Sequence, residues 1–418
     1  MYNILDYGAR STRLENNAAS IQAAIDACAA NGGGVVYIPP GDYLSGAIEL
    51  ASRVNLYLEA GATLWASPDP AHYMLKQTTP SIAMGALIRA EQAEDIGIMG
   101  PGRIHGTGVE ELPLEEARKL HFRIAVCVLE QCRQVNIRQI QILYSDAWTL
   151  HLLRCENVFI EGITIANNRN RLNSDGIDPD CCRNVHISNC RIQAGDDCIV
   201  FKTTQPYPCE NITVTNCTFD TPCAAIKLGT ESLGSFSDIL VSNCVIRNSH
   251  IGIGFFIYDG GRVERVQFSN MTIETMEHEG RGKFPIFMDI ERRFPDSPVG
   301  SIRDVIFRDI QIASRGSILL QGMEESRMEN IAFSHVTQRV TGYASFHDRR
   351  KPVASGRRQP QTERSARDVT FAAKEAYFIA AYVDFLEIDG HSVHIPEEVD
   401  RLAARSIYYI QEQAQENS

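Results

Sequence analysis

The sequence predicts an all-β solenoid, a parallel β-helix, on three observations. The first is a repeat: Val158, Val185, Ile212, Ile239 and Val266 follow one another at intervals of 27 residues. Asn189, Asn216, Asn243 and Asn270 recur at the same period, each followed directly by Cys190, Cys217, Cys244 or Met271. A fixed period of this size marks a stack of like supersecondary units. The second is what each unit contains. Runs such as Asn157-Val158-Phe159-Ile160 and Asn184-Val185-His186-Ile187 are β-branched and punctuated by Asn and Gly, with no helical period. The third is an absence: the L-x-x-L-x-L pattern of a leucine-rich repeat does not occur in the repeating region. Coils of short strands stacked at roughly 4.8 Å turn equivalent positions into ladders. The cysteine column then reads as an internal ladder of small apolar side chains. The asparagine column reads as a turn ladder of side-chain amide hydrogen bonds.

Taken in order, residues 1–66 read as a cap leading into the first coils. Asn16-Asn17 starts a capping helix through Ile21, Ile25 and Cys28, which the Gly32-Gly33-Gly34 run ends. Residues 35–38 read as a strand, 39–42 as a turn, 43–50 and 54–58 as further strands. Fainter copies of the repeat begin at Val135, Val305 and Ile331, the last two after an insertion over 274–301. Residues 347–367 form a polar stretch rich in arginine, including Arg349, Arg357 and Arg364. It reads as a solvated loop or as a lid offering arginine to an anionic substrate. Strands are expected over 376–388 and 392–395. A helix opening at Pro396 is expected over 396–413, covering the open end of the solenoid. One β-helix domain is expected over residues 1–418.

Composition narrows the function. The balance of 40 basic against 52 acidic residues gives a net charge of -12, which argues against nucleic acid or an anionic membrane as main partner. No stretch is apolar for long enough to span a bilayer as a helix. The opening Met1-Tyr2-Asn3-Ile4-Leu5-Asp6-Tyr7-Gly8 reads as a first strand and not as a signal peptide, so a cytoplasmic location is expected. The twelve cysteines are expected to be buried and reduced. No zinc-type pairing of C-x-x-C motifs is present, and no metal or cofactor is expected.

The chemistry concentrates between residues 173 and 202. Asp175, Asp178, Asp180, Asp196 and Asp197 lie in one short span that is otherwise apolar. Crowded carboxylates raise one another's pKa values, which suits acid/base work. Aspartate also favours turns for its local hydrogen bonds, which is the plain alternative. Asp175 falls on the coil that begins at Val158, and Asp196 and Asp197 on the coil that begins at Val185. Stacking brings them together on one outer face, splayed outward. Glycoside hydrolysis needs such a pair, an acid for the leaving oxygen and a base for the water.

Asn173-Ser174-Asp175-Gly176 and Gly195-Asp196-Asp197 resemble the N-T-D-G and G-D-D motifs of glycoside hydrolase family 28, the polygalacturonase and rhamnogalacturonase family. The resemblance extends over most of the chain, from Asp6-Tyr7-Gly8-Ala9 and Pro39-Pro40-Gly41-Asp42-Tyr43 through the repeats. It implies a right-handed parallel β-helix and an inverting glycosidase acting on plant cell-wall oligosaccharides. It also implies Asp196 as general acid, with Asp175 and Asp197 holding and activating the water. Where the family carries G-H-G this chain reads Cys223-Ala224-Ala225. Where the family carries the cations of R-I-K it reads Phe256-Ile257-Tyr258. The expected substrate is therefore a pectic or related oligosaccharide other than ordinary polygalacturonic acid. Exo action is expected from the 274–301 insertion and the basic loop. Asn173, Asp178, Lys202, Lys227, Glu231, Phe256, Tyr258 and Arg292 are the candidate substrate contacts. Lys227, Arg292 and Arg293 are candidates to replace the missing cations. Two alternatives remain: a β-helix lyase or epimerase acting on uronates, with Ca²⁺ held by the aspartates, and a carbohydrate-binding solenoid without catalysis.

Overall fold

The structure, a computed structural model, describes residues 1–79, 82–109, 122–276, 284–342, 376–396 and 406–411. It forms two compact units, Met1–Val200 with Ile212–Cys217, and Phe201–Asn211 with Thr218–Ser418. Both are built almost wholly from parallel strands, as a parallel β-helix requires.

The repeat sets the register in each unit. In the first, Ile96 pairs with Val135, Val135 with Val158, and Val158 with Val185. In the second, Ile239 pairs with Val266, Val266 with Val305, Val305 with Ile331, and Ile331 with Leu386. Within each unit, the faint copies at Val135 or at Val305 and Ile331 therefore fall on the inward ladder of that unit's clear ones. Inward residues such as Val158, Ile160, Val185 and Ile187 are fully buried, while Phe159 between them is exposed. That is the period-2 alternation of a sheet with one covered face.

A second set of strands, several of them buried on both faces, carries the site. In the first unit it runs Ile48–Glu49, Ile82–Glu91, Phe122–Glu130, Leu150–Leu153 and Ile177–Asp180, each parallel to the next. In the second unit it runs Ala224–Ser232, Ile251–Ile257, Phe284–Ile290, Ile318–Gln321, Ala376–Ala381 and Ser406–Ile410. Every residue of Phe284–Ile290 is buried, the condition that favours continuous apolar runs in parallel sheets.

The asparagine ladders form as expected. Asn189, Asn216, Asn243 and Asn270 all sit at positive φ, between 52° and 56°. Asn216 donates its side-chain amide to Asn189 at 3.3 Å, and Asn270 donates to Asn243 at 2.7 Å. A parallel ladder joins Asn184 to Asn157 at 2.9 Å, also in the left-handed region. Asparagine tolerates that backbone and bonds its own kind on the next coil. The cysteine column lies inside. The thiols of Cys190, Cys217 and Cys244 donate to the carbonyls of Ser188, Thr215 and Ser242 at 3.1–3.2 Å. No cysteine is disulfide-bonded, and all but Cys223 are buried.

The capping helix is Ala18–Ala30, preceded by Asn17 and burying Ile21, Ala24, Ile25 and Cys28. No helix among the described residues is long and apolar enough to cross a membrane. Three expectations need correction. The strand expected over 43–50 divides into Gly41–Ser45 and Ile48–Glu49. Gly46 lies at the break, where a Cβ would come within 2.6 Å of the His72 carbonyl oxygen. The strand over 376–388 divides at Tyr382, which has φ 56°. The helix expected over 396–413 is contradicted at its centre, where Ser406–Ile410 is a strand paired with Ala376–Ala381. The run Ser-Ile-Tyr-Tyr-Ile has the β-branched and aromatic content of a strand, which outweighs the proline start signal. The basic stretch 347–367 lies outside the described residues.

Candidate active site

In the first unit, backbone packing draws the two aspartate motifs together. The Gly176 amide donates to the Asp197 carbonyl at 2.9 Å, and the Ile177 amide to the Cys198 carbonyl at 2.9 Å. Asp175 and the Asp196-Asp197 pair therefore occupy adjoining coils, as the repeat predicts. The motif glycines follow from the closeness of that approach. A Cβ on Gly176 would meet the Cys198 carbonyl oxygen at 2.4 Å, and one on Gly195 would meet the Asn168 carbonyl oxygen at 2.3 Å. Ser174, fully buried, ties the two motifs: its hydroxyl donates to the Arg171 carbonyl at 2.7 Å and accepts from the Gly195 amide at 3.2 Å. Asn167 braces the same turn, donating to the Ser174 carbonyl at 2.9 Å and to the Thr149 hydroxyl at 2.8 Å.

The carboxylates themselves are less open than an outward splay implies. Asp175 is 2 % exposed and Asp197 1 %, and only Asp196 keeps intermediate exposure. Asn173, in the left-handed region at φ 54°, aims its backbone N–H at Asp196 Oδ2, 3.0 Å away. Buried charge is supplied alongside. Arg123 and Arg171 are both 5 % exposed and share the carboxylate of the equally buried Asp146. Burial pushes the Arg123 guanidinium below its ordinary pKa, while Asp146, Asp175 and Asp196 act in the opposite direction. The Cys198 thiol is pushed well above its usual range, by burial first and by Asp197 next. These couplings place the three aspartates in one electrostatic neighbourhood.

Asp178 and Asp180 lie on the strand Ile177–Asp180. Both are fully buried, and Asp180 accepts from or bonds His151 Nε2 at 3.1 Å. Asp178 lies in register beside His151. Asp178, a candidate substrate contact, is buried within the strand Ile177–Asp180.

The second unit gathers its own polar group. Lys202, expected as a substrate contact, is nearly fully buried and pairs with Glu231 at 3.1 Å. Arg293 pairs with Glu231 at 3.4 Å and with Asp259 at 2.8 Å. Burial raises the Asp259 carboxyl pKa, and Arg293 opposes that shift. Lys227 lies over the Phe256 ring, 5.2 Å from its centroid. Two candidate contacts are engaged within the protein. Tyr258 is 0 % exposed and donates to Asp289 at 2.6 Å, so its ring has no open face for a sugar. Arg292 turns away to Glu325 at 3.1 Å and to the Ser297 carbonyl, leaving Arg293 as the arginine of the cluster. Arg123, Asp146, Arg171 and Asp259 were not singled out from sequence. Arg123 had a visible signal, being the lone cation in the apolar strand Phe122–Glu130.

Comparison with known proteins bears on the family and the fold. A probable polygalacturonase of Vitis vinifera is 30% identical over 215 residues, 48% of this chain and 44% of that protein. The chain thus matches less than half the length of this relative. Two solved structures share the fold. The exopolygalacturonase of Thermotoga maritima has a TM-score of 0.69 and 23% identity, over 81% of this chain and 86% of that one. The family 28 exopolygalacturonase of Yersinia enterocolitica has a TM-score of 0.68 and 20% identity, over 94% and 77%. Glycosyl hydrolases family 28 matches residues 28–349, most of the sequence, so the chain belongs to that family.

Proposed function

We propose that the protein is an inverting glycoside hydrolase acting on pectic or related plant cell-wall oligosaccharides. The observation that carries this is the geometry at Asp196. It is the most accessible of the three clustered aspartates, and the Asn173 amide orients its carboxyl group. That suits a general acid delivering a proton to a leaving oxygen. Asp175 and Asp197, buried beside it on adjoining coils, suit the holding and activation of water. Exo action is part of the proposal, supported by the 274–301 insertion. Ordinary polygalacturonic acid is proposed to be a poor substrate. The two positions expected for uronate-binding cations hold Phe256 and Tyr258. Lys202 and Arg293 already face Glu231 and Asp259, so that cluster's charges cancel.

The test is a screen of oligogalacturonates, rhamnogalacturonan and xylogalacturonan oligosaccharides and 4-nitrophenyl glycosides, with products followed by proton NMR. A new reducing end that first appears in the inverted anomeric form is the expected result. An unsaturated, ultraviolet-absorbing product would mean a lyase, and binding without any product a carbohydrate-binding solenoid. Either would overturn the reading. Turnover of polygalacturonic acid at rates typical of enzymes, about 1–10³ s⁻¹, would refute the narrower claim about that polymer.

A further inference from the structure

Arg123 enters the site from a strand with no motif in it. The strand Phe122–Glu130 carries this one cation among apolar neighbours. Its guanidinium nevertheless reaches the 171–173 segment, fifty residues further on. Nη1 donates to Asn173 Oδ1 at 3.1 Å. Nη2 donates to the carbonyl oxygens of Leu172 and Asp146. Nε stands 3.7 Å from Asp146 Oδ1, and the same oxygen accepts from Arg171 Nε at 2.5 Å. One planar fork thus ties Leu172 and Asn173 to Asp146, a geometry lysine does not reproduce.

Buried ion clusters seldom add net stability over apolar packing of like volume. Here the cluster lies one step from the reacting groups. Asn173 is held at its side chain by Arg123 and uses its backbone N–H to hold Asp196 Oδ2 at 3.0 Å. We propose that Arg123 is a positioning residue: it fixes the Asn173 turn, and through that turn the orientation of the Asp196 carboxyl group. It does not touch substrate in this scheme. The inference rests on the reading of Asp196 as the general acid.

The experiment separates the two. Arg123→Lys keeps the charge and loses the fork, and Arg123→Gln loses the charge. Each is compared with wild type and Asp196→Asn on a 4-nitrophenyl glycoside and on the unactivated oligosaccharide of the same sugar. A misplacement of about 1 Å costs on the order of 10²-fold in rate. The Arg123→Lys protein should lose about that in kcat on the oligosaccharide, with KM little changed. On the nitrophenyl glycoside, whose departure needs no proton, the loss should be less than about tenfold. Its crystal structure should show the Asp196 carboxylate moved off the Asn173 amide. Equal losses on both substrates, or an unmoved carboxylate, overturn the inference. If Asp196→Asn itself shows no dependence on the leaving group, the acid assignment fails, and the position of the carboxylate in Arg123→Lys still decides the role of Arg123. Failure of both Arg123 variants to fold would make it a folding residue and overturn its positioning role.

Discussion

Among single residues, the three aspartates are predicted to divide their labour. Asp196→Asn removes a proton donor, and Asp175→Asn and Asp197→Asn remove water activation. Losses of roughly 10²–10⁴-fold are expected for such groups. The Asp196→Asn protein should recover on a substrate with an activated leaving group, and the other two should not. Thermal midpoints measured beside the kinetics separate this from a purely structural role for turn aspartates. Full activity of a well-folded Asp196→Asn protein on its natural substrate would refute the scheme. Tyr258 makes a contrasting prediction. Its hydroxyl donates to the fully buried Asp289, which also accepts from Gln321 at 3.1 Å. Tyr258→Phe should cost about 1–3 kcal/mol of stability, the price of leaving a buried acceptor short of a donor. Denaturant titration reads that cost, and a large change in KM without it would return Tyr258 to the substrate contacts.

In the coil elements, a column of residues has to adopt the same unusual backbone at the same place. Asn243 and Asn270 are both left-handed, and the second donates to the first at 2.7 Å. Asn243→Ala should destabilise by about 1–2 kcal/mol, the cost of that backbone for a residue with a Cβ and no local hydrogen bond. Asn243→Gly should lose less, since glycine adopts the backbone without strain. Equal effects from the two would mean that the side-chain ladder alone matters. Gly176→Ala acts at the same scale with a sharper outcome. Its Cβ would fall 2.4 Å from a carbonyl oxygen of the adjoining coil, which is backbone and cannot turn aside. The coils would have to part where Asp175 meets Asp197, so activity should fall further than stability.

For the whole molecule, the sequence holds twelve cysteines and a net charge of -12. We propose a cytoplasmic location, a compartment in which cysteines stay reduced. Titration of unfolded protein without reductant should find nearly all twelve cysteines free, and several disulfides would defeat the proposal. The 27-residue period passes from Val158 to Val266 without a break. We therefore propose a single unfolding domain. One denaturant transition, coincident by fluorescence and circular dichroism, supports it; two separate transitions would refute it.

What the sequence determined by itself is what a period can carry. Equal spacing of Val158, Val185, Ile239 and Val266 set the register, and with it the adjoining coils of Asp175 and Asp197. The asparagine and cysteine columns were legible for the same reason, since each copy stacks on its like. The 396–413 helix was misread because a proline start signal is local, while the strand Ser406–Ile410 is held by a partner some thirty residues earlier in the chain. Only the tertiary structure decided which aspartates are covered and which cations are already engaged. Arg123 finds Asn173 across 50 residues, and Arg293 finds Glu231 across 62. Neither separation is a multiple of the repeat. Charge pairing depends on side-chain reach through a buried, weakly polar interior, and a one-dimensional period does not encode that reach.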